Sequence, residues 1–510
     1  MNDQPLGERG ANRSRRPNSK AFRDFIASQW GPVEVEEAER TRHPAADHTE
    51  TRRDAIGQLF PGERLVFPAG RPKVRSNDTD YRFRPHSAFA HLTGLGADHE
   101  PEAVLVLHPL DEAAVTPGGP THEAVLYLRP AATRDTPEFY ADSAAGEFWV
   151  GRRPTLEDMA VHTGIRTEDL ASLRDALAKD VGAGQVQLRV IAEADAAVTA
   201  MVQQVRQEAG LAVVGGEDPT QAPDAKLAEA ASELRLIKDA FEVDQMRQAI
   251  AATIKGFERV VQALPQAATV RRGERVVEAT FETGARVDGN GVGYETIAAA
   301  GNHATTLHWI RNTGAVRPGE LLLLDAGIEV DSLYTADITR TIPISGRYSE
   351  VQRRVWEAVV DAADAAFAAA RPGNKFRDVH DAAMVVIAQR LEEWGLLPVT
   401  AEESLKPDGQ QHRRWMVHGT SHHLGLDVHD CAQARKELYM DAELRPGMVF
   451  TIEPGLYFKA EDLAVPPEYR GIGCRCEDDV LITADGNINL SAALPRRADQ
   501  IEAWMAGLRA

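Results

Sequence analysis

Acidic residues border two of the most apolar, β-rich stretches of the chain. Four consecutive leucines at positions 321–324 run directly into Asp325, and Asp337 opens a second β-rich stretch a few residues later. A short turn around Asp331 separates them, and this order predicts a β-hairpin. If the turn is centred on Asp331, the two acids face each other across the strands with Cβ atoms roughly 5 Å apart. Taken alone, two acids that face water are the simpler interpretation, although a divalent cation between facing carboxylates would offset their repulsion.

A histidine-rich segment changes that balance. His418, His422, His423 and His429 are four of the chain's 16 histidines, and they fall within twelve residues. Glycines within the segment favour a loop or a strand over a helix. A cluster this dense is harder to explain as ordinary core or surface histidines than a single one would be. His423, directly beside His422, is expected to pack or to line a pocket rather than to bind a metal.

Two further segments each contribute one glutamate. Glu453 lies in the sequence Thr-Ile-Glu-Pro-Gly, and Glu477 follows Cys474, Arg475 and Cys476. In an extended strand, Arg475 and Glu477 share one face and the two cysteines point to the other. The cysteines are therefore expected to pack in the core rather than to bind a soft metal.

Together these residues form a hard, oxygen-rich donor set with one imidazole. Such a set suits Mn²⁺, Co²⁺, Fe²⁺ or Zn²⁺ better than a metal that prefers thiolates. Four carboxylates carry a charge of about −4, which two divalent ions would cancel and one would not. The residues alone therefore favour a site for two divalent metal ions.

Hydrophobic spacing predicts further elements away from this site. Phe22, Phe25, Ile26 and Trp30 recur at helical spacing and predict a short helix that docks on the body of the protein. Residues 102–108 and 123–128 predict two short strands. An apolar stripe over residues 241–264 predicts a long helix, which Pro265 is expected to end.

The segments that carry the candidate ligands, in this order, resemble the signature of aminopeptidase P, the Xaa-Pro aminopeptidases, which belong to the pita-bread metallopeptidases. The resemblance covers nearly all of the chain from about His48. It implies an α/β (α+β) protein in which an N-terminal creatinase/aminopeptidase P-like domain, residues 47–233, precedes a C-terminal pita-bread catalytic domain, residues 234–510. Residues 1–46 are expected to form an N-terminal extension that is partly disordered. The segments that carry the resemblance are 81–89, 92–94, 102–107, 149–153, 325–327, 334–341, 418–429, 452–457 and 471–479.

The same resemblance implies a role for each residue of the site. Asp337 and Glu477 are expected to bridge two metal ions, and Glu453 to orient and deprotonate the attacking water. Manganese is the expected metal, with cobalt, iron or zinc as alternatives. Trp149 lies in the segment that in relatives reaches toward a neighbouring active site, unless it packs in the core of its own domain. The implied metal ligands are Asp325, Asp337, His422, Glu453 and Glu477; the implied catalytic residues are His308, His429 and Glu453; and the implied substrate-binding residues are Tyr294, His418, Tyr457 and Arg475.

The reaction that the resemblance implies is hydrolysis of the bond between any N-terminal residue and a following proline. This bond needs a dedicated pocket, because proline has no N–H to donate and its ring fixes φ. Prolidase, which has the same fold and metals but acts only on dipeptides, is the alternative enzyme. A domain that has lost its ligands and binds peptides or proteins is the alternative outside catalysis.

Composition restricts the partners and the compartment. With 57 basic and 77 acidic side chains the net charge is −20, which argues against a general nucleic-acid binder. No stretch approaches the roughly 20 apolar residues of a membrane span. Three cysteines in 510 residues fit a reducing cytoplasm. We therefore expect a cytoplasmic enzyme for peptides with proline in second position, and the resemblance adds a homo-oligomer.

Overall fold

A computed structural model describes residues 17, 19–31, 41–77, 79–182, 186–211 and 222–509. The chain divides into two compact units, Met1–Leu234 and Arg235–Ala510. Most of the tail that was predicted to be disordered, residues 1–16 and 18, lies outside the described residues. None of the helices in the described part of the chain is both long enough and apolar enough to cross a membrane.

The first unit is built on a five-stranded mixed sheet with the strand order β6–β5–β4–β1–β7. Its strands are β1 (Glu63–Pro68), β2 (Val74–Ser76), β3 (Thr79–Asp80), β4 (Val104–Pro109), β5 (His122–Leu128), β6 (Arg166–Asp169) and β7 (Gln187–Val190), with β2 and β3 forming a separate hairpin. Its helices are α1 (Lys20–Ile26), α2 (Ala46–Leu59), α3 (Ser87–Thr93), α4 (Pro137–Ala141), α5 (Glu147–Val150), α6 (Leu156–Thr163), α7 (Leu173–Ala178), α8 (Ala196–Glu208) and α9 (Pro223–Leu234).

Both faces of this sheet are buried. Leu65, Phe67 and Leu105 belong to one hydrophobic cluster, whereas Val66 and Val106 belong to another. Since alternate residues of a strand point to opposite faces, these two clusters lie on opposite sides of the sheet. Burial on both sides explains why β4 and β5 read as nearly continuous apolar runs, and it confirms the strands predicted there.

The short helix that the spacing of Phe22, Phe25, Ile26 and Trp30 predicts is present and packs within the first unit. Ser19 caps α1 by accepting a hydrogen bond from the backbone N–H of Phe22. The Phe22 ring lies 5.0 Å from that of Tyr140, and Trp30, just beyond the helix, lies 5.5 Å from Phe139. These edge-to-face contacts attach the segment through its aromatic side chains.

The second unit contains the remaining strands and the longest helices. Its strands are β8 (Gly291–Val292), β9 (Ile297–Ala300), β10 (Leu321–Ala326), β11 (Ile328–Glu329), β12 (Ile338–Pro343), β13 (Val449–Ile452), β14 (Gly455–Phe458), β15 (Ile472–Arg475), β16 (Asp478–Thr483) and β17 (Gly486–Asn489). Its helices are α10 (Ala240–Ala267), α11 (Gly273–Asp288), α12 (Glu350–Ala369), α13 (Phe376–Glu393), α14 (Ala401–Ser404) and α15 (Ala498–Arg509). The strands pair as β12–β10–β9, β13–β16–β17, β14–β15 and β11–β8, while α10 packs along α11 and α12 along α13.

Helix α10 extends past the proline that was expected to end it. The predicted helix stopped before Pro265, but α10 continues to Ala267. Proline cannot donate to the carbonyl four residues earlier, which is that of Val261. Arg509 Nε lies 3.4 Å from this carbonyl and supplies a replacement donor. With only its last turn affected, the helix tolerates the proline.

The hairpin that carries the two aspartates has a different register from the expected one. Asp325 pairs with Thr339 rather than with Asp337, so the turn is centred on Ser332. The expected direct pairing of the two acids is therefore wrong. The difference amounts to two residues along the partner strand, and because side chains alternate with a period of two, Asp325 and Asp337 still share one face.

Candidate metal centre and active site

Three predicted ligands approach one another closely. Asp337, His422 and Glu477 each place one potential ligand atom so that these atoms all lie within 4.8 Å of one another. His422 Nε2 is 3.3 Å from Asp337 Oδ2 and 3.7 Å from an oxygen of Glu453. The side chains of Asp337 and Glu477 are buried, so water does little to screen their charges.

Asp325 joins this cluster through Tyr294. The Tyr294 hydroxyl lies 2.7 Å from Asp325 Oδ1 and 2.5 Å from Asp337 Oδ1. Burial, followed by the charges of the two carboxylates, raises the pKa of Tyr294 well above its ordinary value, so the phenol keeps its proton. One phenol proton shared between two carboxylates offsets only part of their mutual repulsion. The Arg475 guanidinium, which pairs with Asp325, offsets a further part.

The electrostatics of the cluster show an excess of buried negative charge. Burial, and then the charges of neighbouring carboxylates, raise the pKa of Glu477 well above its usual range. Burial likewise raises the pKa of Glu453 to about 7. It also raises the pKa of Asp325, although the positive charge of Arg475 acts in the opposite direction. Burial opposes a charge on His422, but its hydrogen bond to Asp337 and the charge of Glu453 outweigh this and raise its pKa to about 9. Every one of these groups binds protons more tightly than it does in water, as expected for a site that attracts cations.

Three of the predicted substrate-binding residues form a continuous set of contacts beside the ligands. The buried guanidinium of Arg475 pairs with the Asp325 carboxylate and donates to the Tyr457 hydroxyl at 3.0 Å. That hydroxyl lies 2.7 Å from His418 Nε2. On its other side, His418 Nδ1 is 3.6 Å from an oxygen of Glu453. Burial and then the charge of Arg475 lower the pKa of His418 to about 3, so its imidazole is neutral.

The two predicted catalytic histidines lie at the same site but contact it differently. The His429 ring packs edge-on against His422, with 4.4 Å between ring centroids. Burial, then His422 and to a smaller extent His308, lower the pKa of His429. His308 is thus near enough to influence His429, but it is itself exposed. His429 packs against a proposed ligand, whereas His308 is exposed and has no such contact among those described.

Several residues that support the ligands carried no role in the sequence-based prediction. Thr339 Oγ1 donates to Glu477 Oε2 at 2.7 Å, and the backbone N–H of Asp337 donates to Asp479 at 3.2 Å. Arg340 donates to the backbone carbonyl of Glu477 at 2.7 Å. All of these residues fall within the segments that carry the family resemblance. Their partners lie across strands about 140 positions away, which the sequence does not reveal.

A buried glutamate on α11 holds the loop that carries His308. The Glu274 carboxylate accepts four hydrogen bonds from this loop, two at each oxygen. His303 also stacks on Trp309, next to His308, with ring centroids 3.9 Å apart. The four donors are the backbone N–H groups of Ala300 and Gly314 and the side chains of His303 and Trp309, at 2.5–2.9 Å.

His423 packs in the core, as one of the two predicted options stated. Its ring stacks on Phe376 with 4.9 Å between centroids and packs edge-on against Tyr439 at 4.6 Å. Burial, followed by the charge of Lys238, lowers the pKa of His423 to about 3. A neutral imidazole surrounded by aromatic rings turns away from the ligand cluster.

The donor set fits divalent cations that prefer oxygen and imidazole. Four carboxylates and one imidazole meet at this site, and Asp325, Asp337 and Glu477 among them are buried. The nearby thiols do not compete: Cys474 and Cys476 are free and buried, and burial raises the pKa of Cys476 to about 12. A thiol that keeps its proton is a poor ligand.

Comparison with known proteins agrees with this site. Residues 244–484 match metallopeptidase family M24, and residues 48–188 match the aminopeptidase P N-terminal domain. Xaa-Pro aminopeptidase 1 of Streptomyces coelicolor is 49% identical over 96% of this chain and 93% of its own length. Xaa-Pro aminopeptidase of Escherichia coli is 31% identical over 90% and 97%. The chain belongs to the Xaa-Pro aminopeptidases.

Solved structures agree with this assignment. A variant of Escherichia coli aminopeptidase P in complex with substrate superposes with a TM-score of 0.76 at 28% identity, covering 92% of this chain and 99% of the other. This confirms the predicted fold class, an aminopeptidase P N-terminal domain followed by a pita-bread domain. The chain is a metallo-aminopeptidase that hydrolyses the bond between an N-terminal residue and a following proline, and the family uses divalent metal ions.

Proposed function

We propose that the buried cluster holds two divalent metal ions, with manganese as the metal used in the cell. The observation that carries this proposal is the set of four carboxylates around His422, of which three are buried and Glu453 is partly buried, with the Arg475 guanidinium paired to only one of them, Asp325. One divalent ion would leave the cluster negatively charged, whereas a second one removes that excess. The proposed ligands are Asp325, Asp337, His422, Glu453 and Glu477.

Bound divalent ions polarise the scissile carbonyl and lower the pKa of the attacking water. We propose that Glu453 orients this water and takes its proton. The Glu453 carboxylate lies 3.7 Å from the His422 imidazole, so a group able to accept and return a proton stands at the ligand cluster itself. The neutral His418 imidazole, 3.6 Å from Glu453, leaves the carboxylate free to act because it brings no competing positive charge.

The proposed role of His429 and His308 is to stabilise the oxygen of the tetrahedral intermediate and to pass a proton to the leaving nitrogen. His429 packs against His422, and the exposed His308 is near enough to influence the pKa of His429. An imidazole N–H aimed at developing negative charge typically contributes about 10²-fold or more to the rate.

We assign the proline ring to a pocket bordered by Tyr457, His418 and Arg475. Their mutual hydrogen bonds fix the aromatic and imidazole rings beside Glu453. A rigid pocket of this kind suits a ring that presents apolar surface and no N–H. Tyr294, assigned to substrate binding from the resemblance, lies against Asp325 and Asp337, so we propose that it also positions these ligands.

The metal proposal is tested by Glu477→Ala. Removing a bridging carboxylate is expected to lower the metal content below the two ions per chain of the parent and to abolish turnover. Asp331→Ala, in the exposed turn of the same hairpin, is the matched control and should keep both. Full activity of Glu477→Ala with unchanged metal content would refute the two-ion site.

Prolidase activity is the alternative, and the length of the preferred substrate separates the two enzymes. The metal-free protein is reloaded with each metal in turn and offered a Xaa-Pro dipeptide and a Xaa-Pro-Xaa tripeptide. Cleavage of dipeptides alone would favour prolidase.

We also propose a cytoplasmic homo-oligomer. The three cysteines are free and buried, which supports a reducing compartment. Trp149 does not pack in the core of its unit, because 58% of its surface is exposed. That exposure supports its proposed contact with a neighbouring subunit, and sedimentation analysis tests it.

A further inference from the structure

A cavity of about 580 Å³ opens beside Tyr457 in the second unit. We call it the leaving-side cavity. Its volume is within the roughly 300–1,000 Å³ of pockets that bind small ligands. Its wall combines apolar and charged side chains, among them Leu307, Trp415, Val417, Tyr457 and Lys459.

The leaving-side cavity begins close to the proposed ligands. The Tyr457 hydroxyl contacts His418, and His418 in turn lies 3.6 Å from Glu453. An aminopeptidase removes a single residue, so one residue lies on the amino side of the scissile bond and the rest of the peptide lies beyond it. A roomy cavity next to the proposed proline pocket therefore suits the residues that follow proline.

The charges around the leaving-side cavity differ in how they are paired. Arg414 donates to both oxygens of Asp462, at 3.0 and 2.8 Å, and Trp415 Nε1 donates to the same carboxylate at 2.9 Å. This pair is therefore internally neutralised. Lys459 Nζ donates to the backbone carbonyl of Thr305 at 3.1 Å, a contact that holds the ammonium in place without cancelling its charge.

We propose that Lys459 binds the free α-carboxylate of the residue that follows proline, so that Xaa-Pro-Xaa tripeptides are preferred substrates. This inference rests on the proposed function. Lys459 lies two residues beyond Tyr457 at the end of β14, which is about 7 Å along an extended chain. In a tripeptide one residue follows the proline at Tyr457 and carries the carboxylate about 3.3 Å further along an extended chain. The long side chain of Lys459 spans the remaining distance.

The test compares Ala-Pro-Ala with its C-terminal amide, using the manganese-loaded full chain. We expect kcat/KM of the parent to be about fivefold higher for the free acid than for the amide, which corresponds to the free energy of one solvent-exposed ion pair. This difference should arise from a lower KM for the free acid. Lys459→Met should bring this ratio close to one, whereas Lys459→Arg should retain it. Lys255→Met, an exposed lysine on α10, is the matched control and should keep the ratio of the parent.

A substitution of Glu461 should change the ratio of kcat/KM for acid and amide in the direction opposite to Lys459→Met. Glu461 also lines the leaving-side cavity, and its negative charge repels a peptide carboxylate. Glu461→Gln should therefore increase the preference for the free acid. An equal kcat/KM for acid and amide in the parent, or an unchanged ratio in Lys459→Met, would overturn the inference while leaving the proposed function intact. A parent that cleaves neither peptide would instead refute the proposed function, and the inference with it.

Discussion

From the raised pKa values of the clustered acids we predict that the metal-free protein loses stability as pH rises. Glu453→Gln tests how much Glu453 contributes to this pH dependence. Burial raises the pKa of Glu453 from an ordinary 4.5 to about 7. The folded protein thus binds this proton more tightly than the unfolded chain. The stabilisation is fully present below pH 4.5 and is lost as pH rises through about 7.

The size of the effect follows from the two pKa values. The difference between about 7 and 4.5, at 1.36 kcal/mol for each pH unit, corresponds to about 3 kcal/mol. Asp325, Glu477 and His422 act in the same direction, because their pKa values are also raised. Glutamine at position 453 does not titrate, so the difference between parent and variant reports Glu453 together with its interactions with the neighbouring charges.

The measurement is the free energy of unfolding of parent and Glu453→Gln with EDTA at pH 5, 6, 7 and 8. Calorimetry is suitable because the two units can unfold separately, and the transition that responds to Mn²⁺ identifies the second unit. The advantage of the parent over the variant should shrink by about 2–3 kcal/mol between pH 5 and 8, because part of the full effect is already lost at pH 5. Glu437→Gln, an exposed acid of the same unit, should show no such trend.

With saturating Mn²⁺, the free energy of unfolding of the parent should rise with pH instead of falling. Metal binds the deprotonated ligands, so the stabilisation by metal grows as pH rises. A difference between metal-free parent and Glu453→Gln that stays constant from pH 5 to 8, or grows, would refute the view that Glu453 is buried among like charges.

Three further variants test individual side chains. His429→Ala should keep its metals yet lose turnover by roughly 10²-fold or more, and an unchanged kcat would make His429 structural. Glu274→Gln leaves two N–H donors of the His308 loop without an acceptor, at a cost of about 1–3 kcal/mol each. The variant should therefore have a lower melting temperature and a lower kcat with the same metal content. An unaltered kcat would show that the loop does not contribute to catalysis. Trp149→Ala should reduce the preference for tripeptides over dipeptides without changing metal content, and an unchanged preference would remove Trp149 from the substrate path.

Local pattern was enough to predict most elements of the fold. The apolar runs that became β4, β5 and β10 are buried, and the helical stripe that starts at Phe241 became α10. The register of the β10–β12 hairpin was not predictable in this way. It depends on the turn, where Leu333 has a φ of 73°, a left-handed conformation that leucine seldom adopts and that local propensity does not signal.

The ligand candidates were predictable because each lies in a distinctive short segment, but the contacts among them were not. Tyr294 reaches Asp337 from 43 positions away, and Thr339 reaches Glu477 from 138. Such contacts follow from strand pairing, which no local periodicity encodes. Glu274 shows the limit most clearly, since a single glutamate near the start of a helix resembles a solvent-exposed acid until its four donors are known.

The histidines of the site depend on two buried acids that bind no substrate. Glu274 holds the loop of His308, and Asp430, next to His429, is held by Lys238 Nζ at 3.1 Å and Arg235 Nε at 2.8 Å. Burial alone would raise the pKa of Asp430, but these two cations outweigh it and keep the carboxylate charged. Removing either partner of such a buried pair is far more costly than the pair is stabilising. The strands thus place the carboxylates through backbone pairing, whereas buried charges fix the loops that carry the histidines, and this division explains why short motifs identify the residues but not their positions.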